Sequence, residues 1–144
     1  MKAVLFTFLF IQLNTAEVQW LLEFEPALEI AQKENKNILL YFSGSDWCKP
    51  CIQLKTYVLD TDEFEKFASE RYILLQADFT RLKKNRLSEE QVLHNEMLAG
   101  KYNPKGIFPL IVVLDNQGNV KYKVEYRKEN CEAFIEQLKR LEEK

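Results

Sequence analysis

The chain reads as an α/β domain with a central mixed β-sheet flanked by helices. Three runs, Ile38–Phe42, Tyr72–Ala77 and Leu110–Leu114, are largely apolar and do not alternate. That is the pattern of strands covered on both faces in a mostly parallel sheet. Between them lie stretches whose apolar residues recur at helical spacing. Near the end, Val120, Tyr122, Val124 and Tyr126 alternate with Lys121, Lys123 and Glu125, which marks a half-exposed antiparallel strand. Parallel and antiparallel signals together predict the mixed sheet.

Trp20–Phe24 is expected as a short edge strand or the lead into a helix. Pro26 suits a first helical position, and Ala27, Ile30 and Ala31 share the face behind it. Asn35-Lys36-Asn37 ends that helix. After the Ile38–Phe42 strand a helix is expected from Cys48 to about Leu59, with Pro50 in its first turn, where a missing N–H costs little. Asp60–Glu63 carries start signals for another helix that buries Phe64 and Phe67. Asp78–Asn85 is polar and basic and reads as a loop. Ser88 to Gln91 has the form of a capping box, with Leu87 and Val92 placed as its hydrophobic staple. That helix is expected to run to about Lys101, before Tyr102-Asn103-Pro104 stops it. Asp115-Asn116-Gln117-Gly118 is hairpin chemistry. A last helix from about Asn130 to Leu141 should bury Phe134, Leu138 and Leu141.

The N-terminus differs in kind. Lys2 precedes an apolar stretch, Ala3–Ile11, which a small residue, Ala16, closes off. A basic start, an apolar core and a small residue describe a secretory signal peptide, here residues 1–16, ahead of a domain at 17–144. The apolar stretch is well short of the roughly 20 residues that span a bilayer, so no stable membrane span is expected after cleavage. Asn14 departs from the small residue preferred there. A buried first strand or helix is the alternative. Net charge is −2, from 20 basic and 22 acidic side chains, which argues against nucleic acid as a partner.

The chemistry is concentrated in Tyr41–Cys51, YFSGSDWCKPC. A strand ends, a short turn follows, and a helix begins at or just before Cys48. A helix start offers unpaired N–H groups and the positive end of the dipole, and there a thiol pKa of about 8.5 can fall to roughly 3.5–7.5. Cys48 and Cys51, two residues apart, can also close a small disulfide. Three uses stay open to such a pair: a metal site, a static disulfide and a redox couple. A metal site needs more ligands, and the chain has no second CxxC, only Cys131 and the single His94 far along the sequence. No metal or cofactor is expected. Asp46 reads as a helix cap, with proton transfer as its second role, and Trp47 as packing. Lys49 is a cation between the two thiols that should favour the Cys48 thiolate. Cys131 is expected to be unpaired and partly buried, though a free thiol could also dimerise the protein. His94 is expected to be solvated.

Trp47-Cys48-Lys49-Pro50-Cys51 after a buried strand resembles the active site of the thioredoxin family. The longer string Ser43–Cys51 is similar to small secreted thioredoxin-like proteins and to the periplasmic C-terminal domain of transmembrane thiol:disulfide interchange reductases. The resemblance covers about Trp20 to Leu141 and implies the thioredoxin fold. It implies that Cys48 attacks a substrate disulfide and that Cys51 resolves the mixed disulfide. It implies substrate contacts from Trp47 and from a cis-proline loop at Ile107, Phe108 and Pro109, with Asp46, Lys49 and Pro50 modulating the site. Leu110 stands where many members carry threonine. Phe42, six residues before Cys48, stands where many carry a buried aspartate, which puts that proton relay in doubt.

The resulting expectation is a periplasmic or secreted thiol–disulfide oxidoreductase. It would act as a monomer on protein or small-molecule disulfides and draw electrons from a thiol donor such as a membrane reductase. A disulfide oxidant and a non-enzymatic binding module of the same fold are the alternatives.

Overall fold

The computed structural model describes residues 18–144. The signal-peptide expectation for residues 1–16 lies outside the described residues. Five strands form one sheet in the order β1-β3-β2-β4-β5: β1 (Trp20–Leu21), β2 (Asn37–Ser43), β3 (Tyr72–Asp78), β4 (Leu110–Leu114) and β5 (Val120–Glu125). β3 runs parallel to both β1 and β2, while β4 is antiparallel to β2 and to β5. The helices are α1 (Phe24–Glu34), α2 (Lys49–Leu54), α3 (Asp62–Arg71), α4 (Glu89–Tyr102) and α5 (Cys131–Glu142). Lys55–Leu59 prolongs α2 as a π-helical turn, a widening that the sequence did not signal. Among the described residues no helix is long and apolar enough to cross a membrane.

The central strands are apolar throughout because each sheet face is covered. Successive residues of a strand point to opposite faces, so β2 serves two cores. Leu39 and Tyr41 pack with Leu54, Phe64, Phe67 and Phe134 from α2, α3 and α5. Ile38, Leu40 and Phe42 pack with Ala27, Ala31, Leu98 and Tyr102 from α1 and α4. Full burial of a side chain such as Phe64 or Phe134 contributes about 1.5–3 kcal/mol.

Helix starts follow local chemistry, with several departures from expectation. Thr61, Ser88 and Asn130 cap α3, α4 and α5 by accepting from the N–H three residues on; such a cap is worth about 1 kcal/mol. The capping box at Ser88 is only half made, because the Gln91 amide turns away to the Leu22 carbonyl and Asn95. Val92 is 39% exposed. Pro26 is the third residue of α1, not the first, and the first N–H of that helix, Phe24, donates to Nε2 of His94 at 3.0 Å. His94 is therefore a half-buried cap from another helix and not a solvated side chain. Leu141 is only partly buried. The β4–β5 hairpin turns at Gly118, whose φ of 82° lies in the left-handed region that glycine enters freely.

Candidate active site

β2 ends at Ser43, and α2 begins six residues later. The chain reverses between them because Cys48 N–H donates to the Gly44 carbonyl at 2.8 Å. Cys48 is the N-cap of α2, and its Sγ accepts from Cys51 N–H at 3.3 Å. Cys48 and Cys51 form a disulfide, with S–S 2.07 Å and Cα–Cα 5.2 Å. Cys48 is 5% exposed and Cys51 1%. Both residues are thus nearly enclosed in the oxidised state. Lys49 and Pro50 are exposed in the first turn.

Asp46 does not cap α2. Its carboxylate accepts from Arg81 N–H and Leu82 N–H, both at 2.9 Å, and from the Asn85 amide at 3.0 Å. Desolvation pushes its pKa up, but the hydrogen bonds from Arg81, Asn85 and Leu82 outweigh it and hold the carboxyl below its usual value. This side chain fastens the 81–85 loop to the active-site turn. Arg81 then lies over Trp47, with its guanidinium carbon 3.7 Å from the ring centroid.

Trp47 is fixed from several sides. Its indole N–H donates to the Phe79 carbonyl at 2.6 Å, and its ring meets Phe108 edge-on at 5.6 Å. Phe79 closes the same aromatic cluster, 5.4 Å from Phe108. The Phe108–Pro109 bond is cis. Asn103, itself buried, holds this loop by accepting from Ile107 N–H at 2.9 Å and donating to the Ile107 carbonyl at 2.8 Å. Leu110 pairs with Phe42, so Pro109 lies across from Ser43, at the strand end that feeds the Cys48 turn. The fold thus brings Ile107, Phe108 and Pro109 to the side of the site that Trp47 occupies.

Beneath α2 lies a cavity of about 120 Å³ lined by Tyr41, Ser43, Cys51, Lys55 and Gln76, among others. Phe42 points into the opposite core, and Tyr41 occupies this side. Tyr41 donates to the Cys51 carbonyl at 3.0 Å. Burial, with Asp78 and Asp60 adding to it, pushes this phenol far above its ordinary range, so Tyr41 is a neutral donor. Ser43 donates to Asp78 at 2.8 Å and accepts from Gln76 at 3.0 Å. Among the described residues no group of three or more His, Cys, Asp or Glu is placed to hold a metal. Cys131 is free and buried, 3.2 Å from the Thr61 hydroxyl.

The structure brings together the two cysteines, Trp47 and the proline loop that sequence reasoning singled out. That reasoning missed Tyr41, Phe79, Arg81 and Asn103, and it misplaced Asp46. Each of these acts through a partner distant in sequence, and no local pattern announces it.

A sheet of this order, with a disulfide at the N-terminus of α2, defines a thiol–disulfide oxidoreductase of thioredoxin fold. The chain belongs to the thioredoxin-like family, whose family model matches residues 19–116. It is 32% identical over 124 residues to the disulfide bond reductase DsbH of Chlamydia pneumoniae, covering 86% of this chain and 72% of that protein. The solved structure of a DsbH oxidoreductase superposes with a TM-score of 0.79 at 31% identity, over 88% of this chain and 85% of the other. The oxidised C-terminal domain of Neisseria meningitidis DsbD shares the fold, with a TM-score of 0.56 at 24% identity, over 81% of this chain and 90% of that one.

Proposed function

We propose that the protein reduces disulfides in other proteins. The observation that carries this reading is the Cys48–Cys51 pair at the start of α2, with Cys51 N–H aimed at Cys48 Sγ. In the dithiol form that N–H favours a Cys48 thiolate, since a hydrogen bond to the charged state lowers an acid's pKa. The Cys48 thiolate attacks one sulfur of the substrate disulfide, forming a mixed disulfide and expelling the other substrate sulfur as a thiolate. Cys51 gives up its proton and attacks Cys48 Sγ. The substrate's second sulfur leaves as a thiolate, and both substrate thiolates take up protons. Two electrons have passed to the substrate, and a thiol donor must return them to the Cys48–Cys51 disulfide.

Trp47, Ile107, Phe108 and Pro109 receive the substrate chain in this reading, and Asp46, Lys49 and Pro50 tune the site. Similarity to a protein named a disulfide bond reductase supports reduction over oxidation. The basic and apolar start of the sequence supports cleavage near Ala16 and a periplasmic or secreted location. A membrane reductase is the donor class this location calls for.

Insulin reduction with dithiothreitol, together with the potential of the Cys48–Cys51 couple, tests the reading. A potential near the roughly −270 mV of thioredoxin supports a reductant, and one near −120 mV makes the protein an oxidant.

A further inference from the structure

We propose that the 81–86 loop is a docking surface for acidic residues that flank the disulfide of a protein substrate. The inference rests on the redox reading above and adds the chemistry of the partner. Arg81, Lys83, Lys84 and Arg86 put four exposed cations into six residues. Among the described residues, neither these four nor the exposed Lys49 takes part in any ion pair. The whole chain carries a net charge of −2, so the loop reverses the sign of the molecule locally. Nearby carboxylates are few. Asp46 is engaged by three hydrogen bonds from the loop itself, Asp78 accepts from Ser43 and Ser45 of the active-site turn, and Glu89 and Glu90 bound the patch on the first turn of α4.

The placement of this charge makes it more than a solvated loop. Asp46 holds Arg81, Leu82 and Asn85, and the Arg81 guanidinium sits on Trp47 at 3.7 Å. Asp46 and Trp47 directly precede Cys48, and Lys49 directly follows it. The loop backbone is thereby tied beside the reactive disulfide and cannot carry its charges away. Exposed charges act over a Debye length of about 8–10 Å at ordinary salt. A cationic rim raises the encounter rate of an anionic partner and makes that rate sensitive to salt. An anionic lipid surface is less suited to the patch, because Glu89, Glu90 and the net negative charge of the chain oppose a broad anionic plane.

The test uses three synthetic peptides with the same disulfide, flanked by Glu and Asp, by Gly and Ser, or by Lys. Reduction is followed as kcat/KM at low and at high salt. The acidic peptide should exceed the basic one by about ten-fold at low salt. The gap should shrink to about two-fold near 1 M salt, where the Debye length is about 3 Å. In K83E/K84E/R86E the order of the peptides should invert, and K83A/K84A should flatten it. Equal rates for all three peptides at low salt overturn the inference, as does an unchanged preference in both variants. Equal peptide rates together with binding to phosphatidylglycerol vesicles assign the loop to lipid and overturn it too. Failure to reduce any of the three peptides is a different result, which overturns the redox reading itself.

Discussion

Tyr41 donates its phenolic hydrogen to the carbonyl oxygen of Cys51, 3.0 Å away, across the interface between the sheet and the redox helix. That carbonyl also accepts from Lys55 N–H, so the tyrosine supplies a second bond to an acceptor that has two lone pairs. Tyr41→Phe should leave the fold intact and cost about 0.5–1.5 kcal/mol, the usual net value of one such bond. Urea unfolding of the oxidised protein measures it. A loss above about 3 kcal/mol would mean that the hydroxyl does more than this single bond.

Gly44 is the closest approach in the active-site turn. A Cβ built there would lie 2.5 Å from Cζ2 and 2.6 Å from Nε1 of Trp47. Contacts under 3.0 Å force something to move, and the indole is wedged against Phe79, Phe108 and Arg81. Gly44→Ala should therefore displace Trp47, at the cost of about 1–3 kcal/mol typical of overpacking. Tryptophan fluorescence should shift, and disulfide reduction should slow. An unaltered emission spectrum would show that the turn yields instead.

Replacing the resolving thiol should trap the reaction halfway. Cys51→Ser leaves Cys48 able to attack a model disulfide but leaves nothing to release the product. Intact-mass analysis should find one stable adduct, and peptide mapping should place it on Cys48. Cys48→Ser should abolish reduction. An adduct confined to Cys131 would reverse the assignment of the attacking sulfur.

Much of this architecture was legible in the sequence, and the reason is local. Ile38–Phe42 and Leu110–Leu114 are read as strands because both of their faces are covered. Phe64 and Phe67 are read as core because they repeat at helical spacing behind the Thr61 cap. The partners of Asp46 were hidden because they lie 35 to 39 residues on, and the partner of His94 because it lies 70 residues back. Spacing reports which face a residue shares with its neighbours. It carries no record of which distant loop the fold will lay against that face. For the same reason Phe42 could be counted back from Cys48, while Tyr41, one residue earlier and on the other face, was passed over.

Three tyrosines set an alkaline limit. Burial, then Glu142 and Tyr122, push Tyr72 far above its ordinary range, and burial raises Tyr122 to about 12. Tyr41 is raised as well. Unfolded tyrosines ionise near pH 10. Below that value both states hold the proton and the contribution of these residues to stability is complete. As pH rises from about 10 to 12 and beyond, the unfolded chain loses protons that the folded chain keeps, so stability falls. Urea midpoints should drop steadily over that interval, and phenolate absorbance should appear late and together with unfolding. A midpoint that stays level to pH 12 would contradict this.

The seclusion of Cys131 has a practical consequence for stoichiometry. This thiol is 8% exposed, sits against the Thr61 hydroxyl, and has its pKa raised by burial despite that hydrogen bond. Thiols of this kind react sluggishly, because the thiolate is the nucleophile. A maleimide count on the native protein therefore registers active-site thiol only in the fraction whose Cys48–Cys51 disulfide has been reduced, and not Cys131. The third sulfur joins the tally after denaturation, so the same sample carries its own internal standard for how much of it was oxidised.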